Sequence, residues 1–352
     1  MIKKFIPLLF SGALVLFLHN GCKKELSHPP EVVTMEAGTI TDTSIVARGE
    51  VTDAGSFALT KAGFIWGVTW KGVKDFSFSD TLEDGYQRHH IALPDSVTGL
   101  CEFKIDSLAR GTTYFIRFWA SNQESISLGD ILMVSTPPDT IDAMRDPDGN
   151  TYPTMTYHWQ VGEYTINSAT WTVKNLRTTK YNDSQPITKT ETDTLWSIAT
   201  EGAYCYYGNK EDSLGSIYGM LYNHLAVSSN RLCPEGWHVP DSTEWAALVE
   251  FMNTNSERNI AGGKMKEAGT DHWQSPNTGA DDRSNFSALP GGGRSGKDGS
   301  FNLLQQYANF WNGSGVSGGT ATVSYLFYNS EHTASARSDV HSGFSVRCVK
   351  NP

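Results

Sequence analysis

Arg231-Leu232-Cys233-Pro234-Glu235-Gly236-Trp237-His238-Val239-Pro240-Asp241-Ser242-Thr243-Glu244-Trp245 is the most readable stretch of this 352-residue chain. Two prolines and a glycine turn the backbone before any helix can begin. Asp241, with Glu244 three residues later, makes a capping-box-like start, although Ser or Thr is the stricter N-cap. Trp245, Leu248, Val249 and Met252 then fall at i, i+3, i+4 and i+7, one apolar stripe of a helix about three turns long. Such a stripe is core and not a cofactor box. The chain beyond this helix is rich in turns and aromatics, at Trp273–Gly279, Phe286–Arg294 and Phe310–Gly313, and the last strand reads Gly343–Val349.

Toward the N-terminus the pattern changes. From Glu31 to Thr136 the chain reads as all-β, with strand-like runs at Ser44–Val51, Ala62–Trp70, Glu102–Ile105, Tyr114–Ala120 and Ile131–Val134. Several short strands in a segment of this size argue for a sandwich. Leu108-Ala109-Arg110-Gly111-Thr112-Thr113-Tyr114 resembles the tyrosine corner of fibronectin type III and related immunoglobulin-like domains. There a Tyr opening a late strand sends its hydroxyl back to a nearby backbone group. Ser135-Thr136-Pro137-Pro138-Asp139-Thr140 carries two prolines that end the last strand and stiffen the connection to the second half. The expected division is therefore a sandwich over 31–136, a linker over 137–145 and a second domain over 146–352.

The first residues read as an export signal. Lys3 and Lys4 precede Phe5–Leu18, an uncharged stretch of 14 residues. A membrane-spanning helix needs about 20 apolar residues, so the length suits a signal peptide over 1–21. His19-Asn20-Gly21-Cys22 resembles the bacterial lipobox, which implies a lipid on the Cys22 thiol, a tether over 22–30 and membrane attachment through that anchor. The pattern departs at His19, where lipoboxes prefer Leu or Val. A plain secretory signal is the other reading, and export is common to both.

Composition narrows the function classes. Hydrophobic residues make up 39% and charged residues 19%, a globular balance. Net charge is -10, and removing Lys3 and Lys4 with the signal leaves -12. That charge repels phosphate backbones, and no Lys/Arg run offsets it, which argues against nucleic acid as a partner. There is no H-E-x-x-H, and the histidines are scattered, so the chain does not read as an enzyme.

The second half carries a family resemblance. In order come Trp171-Thr172-Val173-Lys174-Asn175-Leu176, Tyr181-Asn182-Asp183, Gly202-Ala203-Tyr204-Cys205-Tyr206-Tyr207, Tyr218-Gly219-Met220-Leu221-Tyr222-Asn223, the block at 233–245, Leu289–Arg294 and Gly343–Val349. This succession resembles the Fibrobacter succinogenes major paralogous domain of secreted proteins and lipoproteins. His238-Val239-Pro240 with Glu244-Trp245 and a terminal Phe344–Cys348 is also similar to the sulfatase-modifying family. That likeness implies an α+β, C-type-lectin-like fold. It also implies that the last strand is fastened by a disulfide between Cys233 and Cys348, with Cys205 a competing partner for either. Cys101, in the other domain, is expected to be free and buried.

Two candidate sites remain. Asn277, Asp281, Asp282 and Asn285 can offer oxygen ligands to Ca²⁺, or be a solvated turn. Trp273, Trp311, Tyr325 and Tyr328 can stack on sugar rings, or be packing residues; stacking requires their faces to be exposed. The expected function is a non-catalytic, envelope-anchored binding or adhesion module for a glycan or a protein. The alternatives are a structural envelope protein and an uncharacterised enzyme.

Overall fold

The computed structural model describes residues 27–78, 88–92, 99–161, 165–254 and 259–352. The signal segment, Cys22 and most of the tether lie outside the described residues.

Seven strands form the first half: β1 (Glu31–Met35), β2 (Ile45–Asp53), β3 (Lys61–Gly67), β4 (Arg88–Ala92), β5 (Gly99–Ile105), β6 (Thr113–Ser121) and β7 (Ile126–Ser135). They make two sheets, β1-β2-β5 and β4-β3-β6-β7. Between the sheets lie Ile45, Ala47, Phe64, Ile116, Phe118 and Val134. The Tyr114 hydroxyl accepts a hydrogen bond from the Ala109 N–H at 2.8 Å, so the corner closes as its sequence implies. A short helix, α1 (Trp70–Lys74), comes after β3, and Thr69 caps it by accepting from the Gly72 N–H.

The stretch read as a linker is a strand. Residues Asp139–Arg145 form β8, which joins β9 (Thr151–Val161) and β10 (Thr165–Thr172) in a five-stranded sheet completed by Val349–Lys350 and Trp237–His238. Pro137 and Pro138 do end β7, but no free length comes after them. The Asp139 carboxylate accepts from the Ile141 and Asp142 N–H groups, and pairing to β9 starts at Asp139↔Thr154. Cross-links then hold the halves together. Gly111 N–H donates to Pro137 O, and Thr156 N–H donates to Gly111 O.

The two halves also share apolar core. Ile65, Phe115, Trp119 and Met133, on the outer face of the β4-β3-β6-β7 sheet, pack in one cluster with Met155, Tyr157 and Phe251. The Phe115 and Phe251 rings meet edge-on at 5.8 Å. That sheet is buried on both faces, so the domains are docked and not spaced apart.

In the second half the 233–245 block works as its residues suggest. Helix α2 (Ser242–Met252) opens with a capping box: Asp241 accepts from the Thr243 and Glu244 N–H groups, and Glu244 accepts from the Asp241 N–H. Trp245, Leu248 and Met252 are buried as expected, but Phe251 rather than Val249 completes the buried face. Trp245 lies against Trp171 at 4.9 Å and Phe310 at 5.4 Å. A shorter helix, α3 (Ala261–Met265), leads to an antiparallel sheet of β11 (Tyr307–Trp311), β12 (Thr320–Phe327) and β13 (Thr333–Asp339). Arg347 is wholly enclosed. Its guanidinium donates to Asn175 Oδ1 and to the carbonyls of Thr172, Phe286 and Ser287.

The disulfide joins Cys233 to Cys348, with Cα atoms 6.0 Å apart, while Cys101 and Cys205 are free and buried. It closes a loop with a sequence separation of 115. Loops of that size restrict the unfolded chain by roughly 4–5 kcal/mol in the chain-entropy description. Replacing both cysteines by Ala should therefore lower the unfolding free energy by about 2–5 kcal/mol in urea titration. A change below about 0.5 kcal/mol would show that the bond adds nothing to the fold.

Candidate functional site

The aromatic residues chosen from the sequence do not form a stacking surface. Trp273 is 1% exposed and Trp311 0%. Their indole N–H groups donate to the carbonyls of Ala288 and Tyr222, which spends the polar edge as well as the faces. Tyr325 and Tyr328 are half-buried against different clusters. The sugar-stacking assignment of Trp273 and Trp311 is therefore corrected, because both are core, while Tyr328 remains half-buried.

The loop read as a calcium candidate is a tie between the two halves. Asn277 donates to the carbonyls of Glu267 and Gly269, and Asp281 pairs with Arg283 at 2.7 Å. Asp282 accepts from the Ser287 N–H and hydroxyl. Asn285 donates to Thr136 O, and Arg283 O accepts from the Ser135 hydroxyl, both across the junction. Asn277, Asp282 and Asn285 all adopt positive φ, a conformation that Asn and Asp tolerate best among non-glycine residues. Backbone geometry thus accounts for these residue types without a cation. Among the described residues no three or more of His, Cys, Asp and Glu gather to hold a metal.

A concave surface lies elsewhere, along α2 where it crosses the β9–β10 hairpin. Two cavities, about 450 and 730 Å³, both touch Trp159 and Ala247, and so form one cleft with Trp159 at its waist. Met155, Tyr157 and Trp159 succeed one another at strand spacing; the first two sink into the core, and Trp159 is left half-buried at the rim. The smaller cavity reaches the sandwich domain through Thr69, Trp70 and Phe115. Trp70, also half-buried, carries the Lys74 ammonium over its ring at 4.6 Å.

Trp70 and His158, which line this cavity, carry buried polar atoms without partners. The Trp70 indole nitrogen and His158 Nδ1 are buried and make no hydrogen bond. Burial lowers the His158 pKa, which favours the neutral imidazole at physiological pH. The two half-exposed indoles can meet the apolar face of a ring. The larger cavity adds Asn167, Ser168, Thr170 and Thr243. Sequence reasoning does not single out Trp159 or Trp70. The signal available is Trp159 at the end of a strand whose alternation puts an indole where the core runs out.

Residues 165–350 match the Fibrobacter succinogenes major domain, and this covers more than half of the 352 residues. The chain belongs to that family. No curated protein matches the chain. Among solved structures, the sensor domain of the anti-sigma factor RsgI4 of Pseudobacteroides cellulosolvens is similar at 16% identity, covering 31% of this chain and 96% of that one, with a TM-score of 0.22. A β-sandwich protein from a computer-based redesign is similar at 18% identity, covering 31% and 93%, also with a TM-score of 0.22. Likenesses at that score carry no argument for this chain.

The loop at the junction makes stability depend on pH. Burial pushes the Asp282 carboxyl up to about 7, against the opposing pull of its bonds from Ser287 and of the Arg347 charge. A raised carboxyl pKa contributes stability that is fully present below the unfolded value of about 4 and is lost as pH climbs through 7. Asp282→Asn keeps the shape and removes the ionisation. The variant should gain on wild type by roughly 2–3 kcal/mol between pH 5 and pH 8. A stability difference that stays flat from pH 5 to pH 8 in parallel denaturation curves would refute this.

Proposed function

We propose that this protein is a non-catalytic binding module of the cell envelope that holds an extended, hydroxyl-rich glycan in the cleft along α2. The observation that carries the reading is Trp159, half-buried at the waist of a cleft that runs from the five-stranded sheet to the sandwich domain. Polysaccharide chains present alternating apolar faces and hydroxyls. Half-exposed indoles flanked by Ser, Thr and Asn complement that chemistry. Because Trp70 and Thr69 come from the other domain, both halves contribute to one site.

In this reading the chain is exported and anchored to the outer membrane by lipid on Cys22. That rests on Lys3 and Lys4, the uncharged run to Leu18, and Gly21 before the cysteine. The second half is then of the C-type-lectin-like kind, which the long helix α2, small sheets and cysteine-fastened C-terminus support. Labelling cells with an alkyne palmitate analogue should mark wild type and spare Cys22→Ser; equal labelling of the two ends the anchor proposal.

Titration calorimetry of the chain against cellohexaose, xylohexaose and mannohexaose tests the site. At least one should bind saturably, and Trp159→Ala and Trp70→Ala should each weaken it about tenfold or more. Melting temperatures should stay within about 4 °C of wild type, the shift that a ~1 kcal/mol change produces. Absence of saturable binding, or affinity indifferent to both substitutions, leaves a purely structural envelope role.

A further inference from the structure

A second groove, about 330 Å³, lies on the opposite flank of α2, between the helix and the sheet β11-β12-β13. Its apolar wall is Trp245, Val249, Met265 and Leu326, and its other lining residues are small, hydroxylated or amide-bearing, with no acid or base among them. The Trp245 indole N–H is buried and has no acceptor. One side of the groove is formed by the start of β13, at Thr333, Ala334 and Ser335.

β13 is an edge. Its seven residues pair in unbroken register with β12 from Leu326↔Thr333 to Thr320↔Asp339, and among the described residues no strand pairs with its outer side. Natural edges are guarded by bulges, prolines or outward charges, because an open row of N–H and C=O groups recruits another strand. Here there is no bulge and no proline, and Ala334, Ser335 and Ala336 are small and exposed. The basic residue on this strand, Arg337, is exposed and tied back along its own sheet, its guanidinium donating to the Thr320 hydroxyl and to Ser317 O. The segment at 259–263 covers the first residue of the strand, with Asn259 donating to Thr333 O at 3.1 Å and Gly263 N–H donating to Glu331 O, and leaves the edge from Ala334 onward open among the described residues.

We infer that this edge and groove form a docking site for an extended segment of a partner polypeptide. The segment adds a strand to β13 and places one large uncharged side chain against Trp245, Val249 and Leu326. Backbone pairing supplies affinity and the groove supplies selection, the division of labour in strand-addition recognition. The chemistry separates this occupant from a second copy of the chain. Antiparallel self-pairing of β13 would offer Thr, Ala, Ser, Arg and Asp to the groove and no large apolar side chain to fill it. The absence of charge in the lining selects against acidic and basic residues at the inserted position. This site is separate from the glycan cleft and does not depend on it.

The test is an array of heptapeptides of the form Thr-Val-Thr-X-Thr-Val-Thr, with X each of the twenty residues, probed with the full chain. Peptides with Phe, Leu, Ile, Met or Trp at X should bind, and those with Asp, Glu, Lys or Arg should not. Copies of the best peptide N-methylated at alternate residues lose strand-pairing capacity and should bind about tenfold or more weakly, with the protein unaltered. Ala334→Lys and Ala246→Phe, both at exposed positions on the groove, should produce a comparable loss while the melting temperature holds. No binding to any spot, binding indifferent to X, equal binding of methylated copies, affinity unmoved by both substitutions, or displacement of the peptide by cellohexaose would each overturn the proposal.

Discussion

Everything in the second half converges on Arg347. It is 1% exposed, and its guanidinium reaches Thr172 and Asn175 at and after the end of β10 and the loop at Phe286 and Ser287. Phe286 and Phe310 lie against its flat face at 4.7 and 5.6 Å. Burial pulls its pKa down, but four acceptors directed at one cation require it to stay charged. Removing one member of such a set strands the others in a dry interior, so the three segments stand or fall together. The neighbouring Cys348 fixes the same strand to Cys233 before α2. One position thus sets the last strand, the helix and the loop in common register.

From Arg347 the constraint reaches the other domain. The loop it holds at 286–287 is the one whose Asn285 and Arg283 bond across to Thr136 and Ser135. Asp282, half-buried in that loop, faces Ser287 and the Arg347 charge. The junction is then completed by apolar contact, with Phe115 and Trp119 on one side and Tyr157 and Phe251 on the other. This rigidity matters for function. A cleft lined by Trp70 from the sandwich and Trp159 from the second sheet holds its shape only if the two halves do not move apart.

Buried cations recur as a structural device here. Arg294 donates to the carbonyls of Gly299, Thr190 and Glu191 and to Asp193, with Trp196 and Phe301 against its face. Lys266 donates to the carbonyls of Thr278, Phe327 and Ser330, and burial lowers its pKa to about 8. In a fold with many irregular loops, backbone carbonyls that no ladder satisfies must find donors, and a long cationic side chain reaches three at once.

Local chemistry was legible in the sequence wherever it closes over a few residues. The Asp241–Glu244 capping box, the buried face of α2 through Trp245, Leu248 and Met252, and the Tyr114 corner are short-range devices whose partners lie within a few positions. Membership of the Fibrobacter succinogenes major family was legible from motif order. What the sequence did not yield was exposure. Trp273 and Trp311 are core and Trp159 reaches the surface, yet each is a tryptophan amid turns or strand ends, and only packing by distant segments separates them. The same holds for β8: two prolines read as a spacer, while pairing with β9 made the next residues a strand. The docking of the halves does leave one trace in the sequence, since the nearly unbroken apolar run of β6 is what a sheet covered on both faces requires. Hydrogen bonds between near neighbours are encoded in neighbouring residues; burial is decided by what arrives from elsewhere in the chain, and only the tertiary structure assembles that.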